Sequence, residues 1–156
     1  MTDDVPDGDA TLDEVRAWLW VRIEDGVRCP CCNQFAKIYY RHITGRVVRA
    51  LVNLYNRRGN WQRLPPLDPS RGEAARMSYW NLIEERPVVR EDGGRAGWWR
   101  ITEKGVEWLN ERIFIQEYAR VYDSELLALM GSPYWVRDAV KNKFDLRKLM
   151  EGPFDE

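Results

Sequence analysis

The spacing of apolar residues predicts two amphipathic helices in the first part of the chain. The first covers 11–25 and begins at Thr11 and Glu14, whose spacing is that of a capping box. The second covers 45–58, with Thr44 as its N-cap residue. Apolar side chains at every third or fourth position would face the core: Leu12, Val15, Leu19 and Ile23 in the first helix, and Val47, Val48, Leu51, Leu54 and Tyr55 in the second.

The pattern changes between the second helix and the middle of the chain. Residues 61–69 contain three prolines, which favour a loop over a regular helix. A third helix is predicted over 71–80, because Ala74, Met77 and Trp80 recur at helical spacing and would face inward. The middle of the chain therefore predicts one helix after an irregular connection.

A β-hairpin is predicted directly after the third helix. Pro87 cannot continue a helix, and the β-branched residues that follow it favour a strand. The tip at 92–95 contains Asp-Gly-Gly, which supplies the positive φ angles that a tight turn needs. The return strand leads to Thr102, a good N-cap for another helix. Helix, hairpin and helix thus follow one another with short connections.

These residues resemble the end of the recognition helix, the wing and the next helix of MarR- and PadR-type winged-helix regulators. The matching runs are Tyr-Trp-Asn-Leu-Ile-Glu-Glu, Gly-Gly-Arg and Trp-Arg-Ile-Thr-Glu-Lys-Gly. In those regulators Gly often stands where this chain has Asn81, and Leu where it has Ile101. Asparagine is the next best residue after glycine for a left-handed helix cap, so such a cap is expected at Asn81. The resemblance, which covers about a quarter of the chain, implies a winged helix-turn-helix that most often binds DNA. The whole chain is also similar to small winged-helix proteins of phages and bacteria.

The last part of the chain reads as an α/β appendage. Alternating apolar residues over 113–122 predict a strand or a pair of short strands, and Asp123 or Ser124 would cap a short helix that ends at Gly131. Ser132 and the following proline would open another helix, and Asp145 would cap a last turn that ends at Gly152. The fold class expected is α+β: a mainly helical winged helix-turn-helix with a β-hairpin wing and a small C-terminal α/β appendage. The expected division is a disordered acidic tail (1–10), a winged-helix domain (11–112) and the appendage (113–156).

Charge is strongly segregated although the net charge is only −1. Residues 1–25 carry eight acids and two arginines, whereas residues 26–67 carry eight basic residues and no acid. The eight are Arg28, Lys37, Arg41, Arg46, Arg49, Arg57, Arg58 and Arg63. This acid-free window predicts a basic face for phosphate or for an acidic protein. The alternative is that these cations are dispersed and pair with the acidic segments.

Three cysteines lie within four positions, which suits no disulfide framework and favours a reduced, cytoplasmic protein. Cys29 and Cys32 have the spacing of one zinc knuckle, but a structural zinc site needs four ligands. Cys31 and His42 lie too near in sequence to complete it comfortably. We therefore expect no cofactor, less than one zinc per chain and folding without metal. The alternative is a zinc knuckle whose ligands are shared between two subunits.

No arrangement of residues in the sequence points to catalysis. There is one histidine, no glycine-rich phosphate loop and no nucleophile elbow. We therefore expect a protein that is not an enzyme and that has no membrane partner, since no apolar run is long enough to cross a bilayer. Two function classes stay open: a DNA-binding transcriptional regulator, and a phage-type winged-helix protein that modulates or inhibits a host protein complex.

The DNA-binding interpretation assigns six side chains to a double-stranded DNA partner. On the third helix, Arg71, Arg76 and Tyr79 would lie at the major groove. Arg95 at the hairpin tip would reach the minor groove or a phosphate, and Arg46 and Arg49 on the preceding helix would hold flanking phosphates. A protein partner and a homodimer are left open.

Overall fold

A computed structural model of the chain describes residues 5–64, 71–87, 91 and 97–152. Within these ranges the chain forms six α-helices, one 3₁₀ helix and eight β-strands. The predicted α+β class is confirmed, but the strands are too numerous for a mainly helical chain. The chain divides into two compact units, Met1–Arg41 with Tyr118–Ala128, and His42–Glu117 with Leu129–Glu156.

The first unit combines one helix with short antiparallel strands. Its elements are α1 (Leu12–Trp20), β1 (Val27–Arg28), β2 (Phe35–Ala36) and β3 (Tyr39–Arg41). It also contains parts of β7 (Ile115–Tyr122) and β8 (Glu125–Tyr134), which both run through the two units. β1 pairs with β2, and β3 joins a sheet of order β3-β7-β8 with Tyr40 opposite Arg120.

The capping box at the start of α1 is confirmed. The Thr11 hydroxyl accepts a hydrogen bond from the Glu14 N–H at 3.2 Å, and the Glu14 carboxylate accepts one from the Thr11 N–H at 3.3 Å. The predicted end near residue 25 is wrong, because the helix stops at Trp20 and turns lead towards β1. The predicted apolar face holds at Val15 and Ile23, but Leu12 in the first turn is 68% exposed.

A polar cluster fastens the turn after α1 to β3 and β7. The Glu24 carboxylate accepts hydrogen bonds from Arg120 Nη2 at 2.6 Å and from the Tyr40 hydroxyl at 2.8 Å. The Arg120 bond, followed by the Tyr40 bond, lowers the pKa of Glu24 below its ordinary range. A carboxyl group with a depressed folded-state pKa adds stability above its unfolded pKa, and this contribution is lost as the pH falls through the folded pKa.

We therefore expect Glu24→Gln to reduce stability at neutral pH, with a difference from wild type that shrinks in acid. The measurement is the urea midpoint of both proteins from pH 7 to pH 2, since the unfolded carboxyl titrates near pH 4.3. Asp13→Asn is the control, because Asp13 is 94% exposed in its pair with Arg16. A Glu24→Gln deficit that stays constant across the pH range would contradict this assignment.

The second unit is built around a long helix and a small sheet. Its helices are α2 (Gly45–Asn56), α3 (Arg71–Ala75), the 3₁₀ helix (Arg76–Trp80), α4 (Glu103–Leu109), α5 (Val136–Val140) and α6 (Leu146–Leu149). Its sheet contains β4 (Gln62–Arg63), β5 (Ile83–Glu85) and β6 (Trp98–Ile101) in the order β4-β6-β5. The predicted turn capped by Asp145 is confirmed as α6, since the Asp145 carboxylate accepts from the Lys148 N–H at 3.2 Å.

The buried face of α2 follows the predicted apolar pattern. Val47, Val48, Leu51 and Leu54 are at most 3% exposed, whereas Tyr55 is only half-buried. Thr44 occupies the N-cap position, but its side chain makes no capping hydrogen bond. With 12 residues α2 is the longest helix in the described ranges, and none of those helices has the length and apolar character to cross a membrane.

The helix predicted after Asp123 is wrong, because this segment forms the strand β8. Asp123 and Ser124 adopt positive φ angles of 51° and 64°, which makes a two-residue hairpin turn between β7 and β8. Leu, Ala and Met in this run favour a helix locally. Pairing with β7 supplies backbone hydrogen bonds that override this preference. The strand predicted over 113–122 is confirmed as β7. A helix does follow as α5, but the predicted opening at Ser132 is wrong, because Ser132 and the proline after it lie in β8 and α5 begins at Val136.

The two compact units do not coincide with the predicted ranges 11–112 and 113–156. The chain passes from the second unit into the first along β7 and returns along β8. The C-terminal segment beyond β8 belongs to the second unit, where the Tyr134 hydroxyl donates a hydrogen bond to the Ile43 carbonyl at 2.7 Å. The segment that was predicted to be an appendage therefore contributes to both units.

Candidate nucleic-acid interface

The joint between the 3₁₀ helix and β5 depends on a left-handed asparagine. Asn81 has φ 59° and ψ 28°, and its N–H donates to the carbonyls of Met77 and Ser78. These bonds satisfy carbonyl groups that the end of a helix otherwise leaves without partners. The next residue, Leu82, is fully buried and leads into β5. The sequence-based expectation of a left-handed cap at Asn81 is confirmed.

Thr102 connects this joint to the start of α4. Its hydroxyl donates to the Asn81 carbonyl at 2.5 Å and accepts from the Gly105 N–H at 3.1 Å. Its own N–H donates to the Leu82 carbonyl at 3.0 Å. One threonine therefore caps α4 and holds the start of β5 to the end of β6. Its predicted role as an N-cap is confirmed.

Gly105 is required by the close approach of α4 to the same joint. A Cβ atom at this position would lie 2.3 Å from the Leu82 carbonyl oxygen and 2.7 Å from Ile101 Cγ1. The oxygen belongs to the backbone, which cannot move aside as a flexible side chain would. The Thr-Glu-Lys-Gly and Asn-Leu-Ile runs, far apart in sequence, therefore meet at one packed contact.

The sheet of the second unit has a buried face and an outer face. On β6, Trp99 and Ile101 are buried, while Trp98 and Arg100 alternate with them on the other side. The Arg63 guanidinium, on β4, lies 4.9 Å from the centre of the Trp98 ring. Because Arg63 pairs directly with Trp98 across the strands, the register of β4 and β6 creates this stack.

A second arginine stack lies on the same sheet face. The Arg100 guanidinium is 4.2 Å from the centre of the Trp61 ring, and it is also hydrogen-bonded to the Glu84 carboxylate. Glu84 and Arg100 are direct cross-strand partners. Sequence reasoning did not include Arg63 or Arg100 among the site residues. The Trp-Trp-Arg-Ile alternation indicated that Arg100 would point away from the core, but it could not indicate the aromatic partner.

The segment predicted as one helix over 71–80 is two short pieces. α3 ends at Ala75, and the last five residues form a 3₁₀ helix in which the Ser78 hydroxyl donates to the Ala75 carbonyl at 2.9 Å. The tighter 3₁₀ turn is common at the C-terminal ends of helices. The predicted inward set is confirmed, since Ala74, Met77 and Trp80 are at most 1% exposed.

Two residues predicted to contact DNA lie on the 3₁₀ helix, and the side chains of two others lie outside the described residues. Arg76 and Tyr79 are half-buried and lie one turn apart. The backbone of Arg71 begins α3, but its side chain lies outside the described residues. Arg95 and the predicted hairpin tip at 92–95 also lie outside the described residues, so the structure places neither of them.

Arg46 and Arg49 lie three residues apart on α2 and are both exposed. The Arg49 guanidinium lies 4.4 Å from the centre of the Phe144 ring, in the segment between α5 and α6. Gly45, at the start of α2, packs close to the Ala139 carbonyl of α5. Arg49 therefore lies beside the C-terminal segment, which sequence reasoning did not predict.

Most cations of the acid-free window make no ion pair with the carboxylates that the structure describes. The ion pairs found in those ranges use other arginines, such as Arg100, Arg112 and Arg147. Within the same ranges seven of the eight window cations make no ion pair; they are Arg28, Lys37, Arg41, Arg46, Arg49, Arg58 and Arg63. The window is, however, divided between the units, with three cations in the first and five in the second.

Several window arginines lie on aromatic rings of their own unit. The guanidinium-to-centroid distance is 4.5 Å for Arg41 over Tyr39 and 4.4 Å for Arg58 over Tyr55. Stacking of this kind orients a guanidinium while leaving its N–H edges available for phosphate or carboxylate. The stacks therefore provide positive charge in fixed positions.

Comparisons with protein-family models, with curated proteins and with solved structures each return no match. The function must therefore be inferred from the residues of this chain and their arrangement.

Proposed function

We propose that this chain is a DNA-binding winged-helix protein that acts as a transcriptional regulator. The observation that carries the proposal is the joint in which Asn81, Thr102 and Gly105 hold together a helix end, the open end of the β5–β6 hairpin and the next helix. The antiparallel pairing of β5 and β6 supports it, because the two strands follow this helix and precede α4, as a wing would.

In this proposal the helix that precedes β5 faces the major groove. Arg76 and Tyr79 would contact bases or their flanking phosphates, together with Arg71 from the first turn. Arg46 and Arg49 on α2 would hold phosphates beside the site, and Arg95 would extend contact from the wing. Because the 3₁₀ portion is short, we expect phosphate contacts to supply most of the binding free energy.

Binding to duplex DNA should therefore weaken steeply with salt. With about four phosphates neutralised, the log–log slope of the binding constant against salt should be near −3.6, from about −0.9 per contact. Arg95→Ala should weaken all sequences similarly and flatten the slope by about one unit, whereas Arg76→Ala should also relax specificity. The measurement is a fluorescence titration against specific and random duplexes at several salt concentrations.

Arg16→Ala is the matched control for these variants. It removes the same charge from an exposed position that pairs with Asp13 in the acidic N-terminal region, so it should leave the salt slope unchanged. Absence of binding to random duplex at low salt, at protein concentrations of about 10⁻⁴ M, would reject the proposal. Non-specific DNA binders are normally detected under those conditions.

A second candidate function is binding to a host protein complex as a modulator or inhibitor. It is favoured by exposed apolar side chains on the edge strand β8, where Leu126 is 40% and Leu127 is 36% exposed. Apolar side chains on an exposed strand edge are suited to protein contacts. A pull-down from native lysate, with and without nuclease, separates the candidates. A partner that is retained after nuclease treatment supports this second function.

A further inference from the structure

The cysteine-rich turn is a hairpin tip whose shape is set by backbone hydrogen bonds. β1 and β2 pair on either side of it, with Arg28 opposite Phe35. The Cys29 N–H donates to the Gln34 carbonyl, and the Asn33 N–H donates to the Cys29 carbonyl, both at 2.8 Å. Asn33 adopts a positive φ of 62°, which closes the turn. The turn is thus ordered by the chain itself.

This turn directs backbone N–H groups at the sulfur of Cys29. The Cys31 N–H donates to Cys29 Sγ at 3.4 Å. This bond holds the Cys29 side chain at the hairpin tip, where Cys31 and Cys32 are also exposed. The turn therefore presents its thiols together at one end of the β1–β2 hairpin.

The surroundings of the turn favour an anionic sulfur cluster. Residues 26–67 contain no carboxylate, and the Arg28 guanidinium is held beside the turn by a 3.0 Å hydrogen bond to the Asn33 carbonyl. Cys31 and Cys32 are exposed, and Cys29 is partly exposed. All three cysteines are free thiols. A metal ion in solution can therefore reach the sulfur atoms.

One chain offers only half of a tetrahedral zinc site. Structural zinc takes four ligands, and the C-x-x-C spacing supplies two of them, Cys29 and Cys32. No group of three or more His, Cys, Asp or Glu side chains in the described part of the chain is arranged to hold a metal ion. A zinc site at this turn therefore lacks two ligands among the described residues, and another chain can supply them.

We propose that Cys29 and Cys32 form a zinc half-site that a second copy of this chain completes. Two exposed hairpin tips would supply four thiolates to one Zn²⁺, a cluster with a net charge of about −2. The two Arg28 guanidinium groups, one from each copy, would offset that charge. Because backbone hydrogen bonds already shape the turn, zinc would join folded chains rather than fold them. This proposal does not depend on DNA binding.

The test adds Zn²⁺ to the reduced, metal-free full chain. We expect one zinc per two chains by elemental analysis and a doubled molecular mass by light scattering, with both reversed by a chelator. Co²⁺ should replace zinc and give the absorption spectrum of a tetrahedral thiolate site. Far-UV circular dichroism should be the same with and without metal.

Cysteine variants identify the ligands. Cys29→Ser and Cys32→Ser should each abolish binding at zinc concentrations that saturate the wild type, whereas Cys31→Ser, the matched control, should retain the stoichiometry and the mass change. Cys32 is exposed, so its replacement tests the site even if Cys29→Ser alters the fold. No zinc uptake, one zinc per chain without dimerisation, or equal loss in Cys31→Ser would each overturn the proposal.

Discussion

Trp80→Ala should destabilise the protein by roughly 3–5 kcal/mol, the range for deleting a buried large aromatic side chain. Trp80 is 1% exposed, at the end of the 3₁₀ helix, and its ring contributes a large apolar area to the core of the second unit. Its Nε1–H also donates to the Gln116 carbonyl of β7 at 2.8 Å. The alanine variant would leave both a cavity and a carbonyl group without its partner. Urea unfolding of both proteins measures the difference.

Two further variants separate the causes of this loss. Trp80→Phe keeps an aromatic ring but removes the N–H donor, so it should cost less than alanine while still losing the bond to Gln116. Trp20→Ala is the control, because Trp20 is 58% exposed and should change the unfolding free energy by less than about 1 kcal/mol. A loss of unfolding free energy below about 1 kcal/mol for Trp80→Ala would contradict the burial of the Trp80 side chain in the core.

Gly105→Ala should cost about 2–3 kcal/mol, which is towards the upper end for overpacking a tight site. The added methyl group would lie 2.3 Å from the Leu82 carbonyl oxygen, so α4 would have to move away from the joint. Alanine favours a helix over glycine by up to about 1 kcal/mol, and the clash must exceed this gain. Chemical denaturation should therefore give a lower midpoint for the variant.

Gly72→Ala is the matched control for Gly105→Ala. Gly72 lies in α3 and is exposed, and no described atom beyond its own helix and chain neighbours lies within 4 Å of the position that a Cβ would take. The same substitution should therefore stabilise the protein by about 0.5–1 kcal/mol through helix propensity. The two glycine variants should thus move the midpoint in opposite directions. Equal shifts in the same direction would contradict the packing of α4 on Leu82.

Local chemistry was enough to predict several joints from the sequence. The Thr11–Glu14 capping box, the Asn81 left-handed cap and the Thr102 cap each involve residues within a few positions of one another, so their geometry is encoded in short stretches. The buried face of α2 was also predictable, because its apolar residues follow a strong helical period over three turns. In these places propensity and packing favour the same structure.

Elements whose preference is weak or divided were decided by tertiary pairing. Glu125–Tyr134 contains good helix formers, but the two-residue turn at Asp123 and Ser124 pairs it with β7 as a strand. Likewise, the helical period over 71–80 predicted which side chains are buried but not the change from α-helix to 3₁₀ helix at Arg76. Pairing with β7 sets the first outcome, and the second accompanies the Asn81 bonds that end the 3₁₀ helix.

The sequence by itself determined the caps at Asn81 and Thr102, the inward faces of α2 and of the 71–80 segment, and the segregation of charge, because these follow from residue type and spacing. Only the tertiary structure decided that β8 is a strand, that Arg63 and Arg100 lie on tryptophan rings, and that Arg49 lies on Phe144. The physical reason is that strand register and long-range packing join residues whose separation in sequence carries no local signal. Gly105 illustrates both kinds of feature: the helix that contains it was predictable from the sequence, but its contact with the Leu82 carbonyl was not.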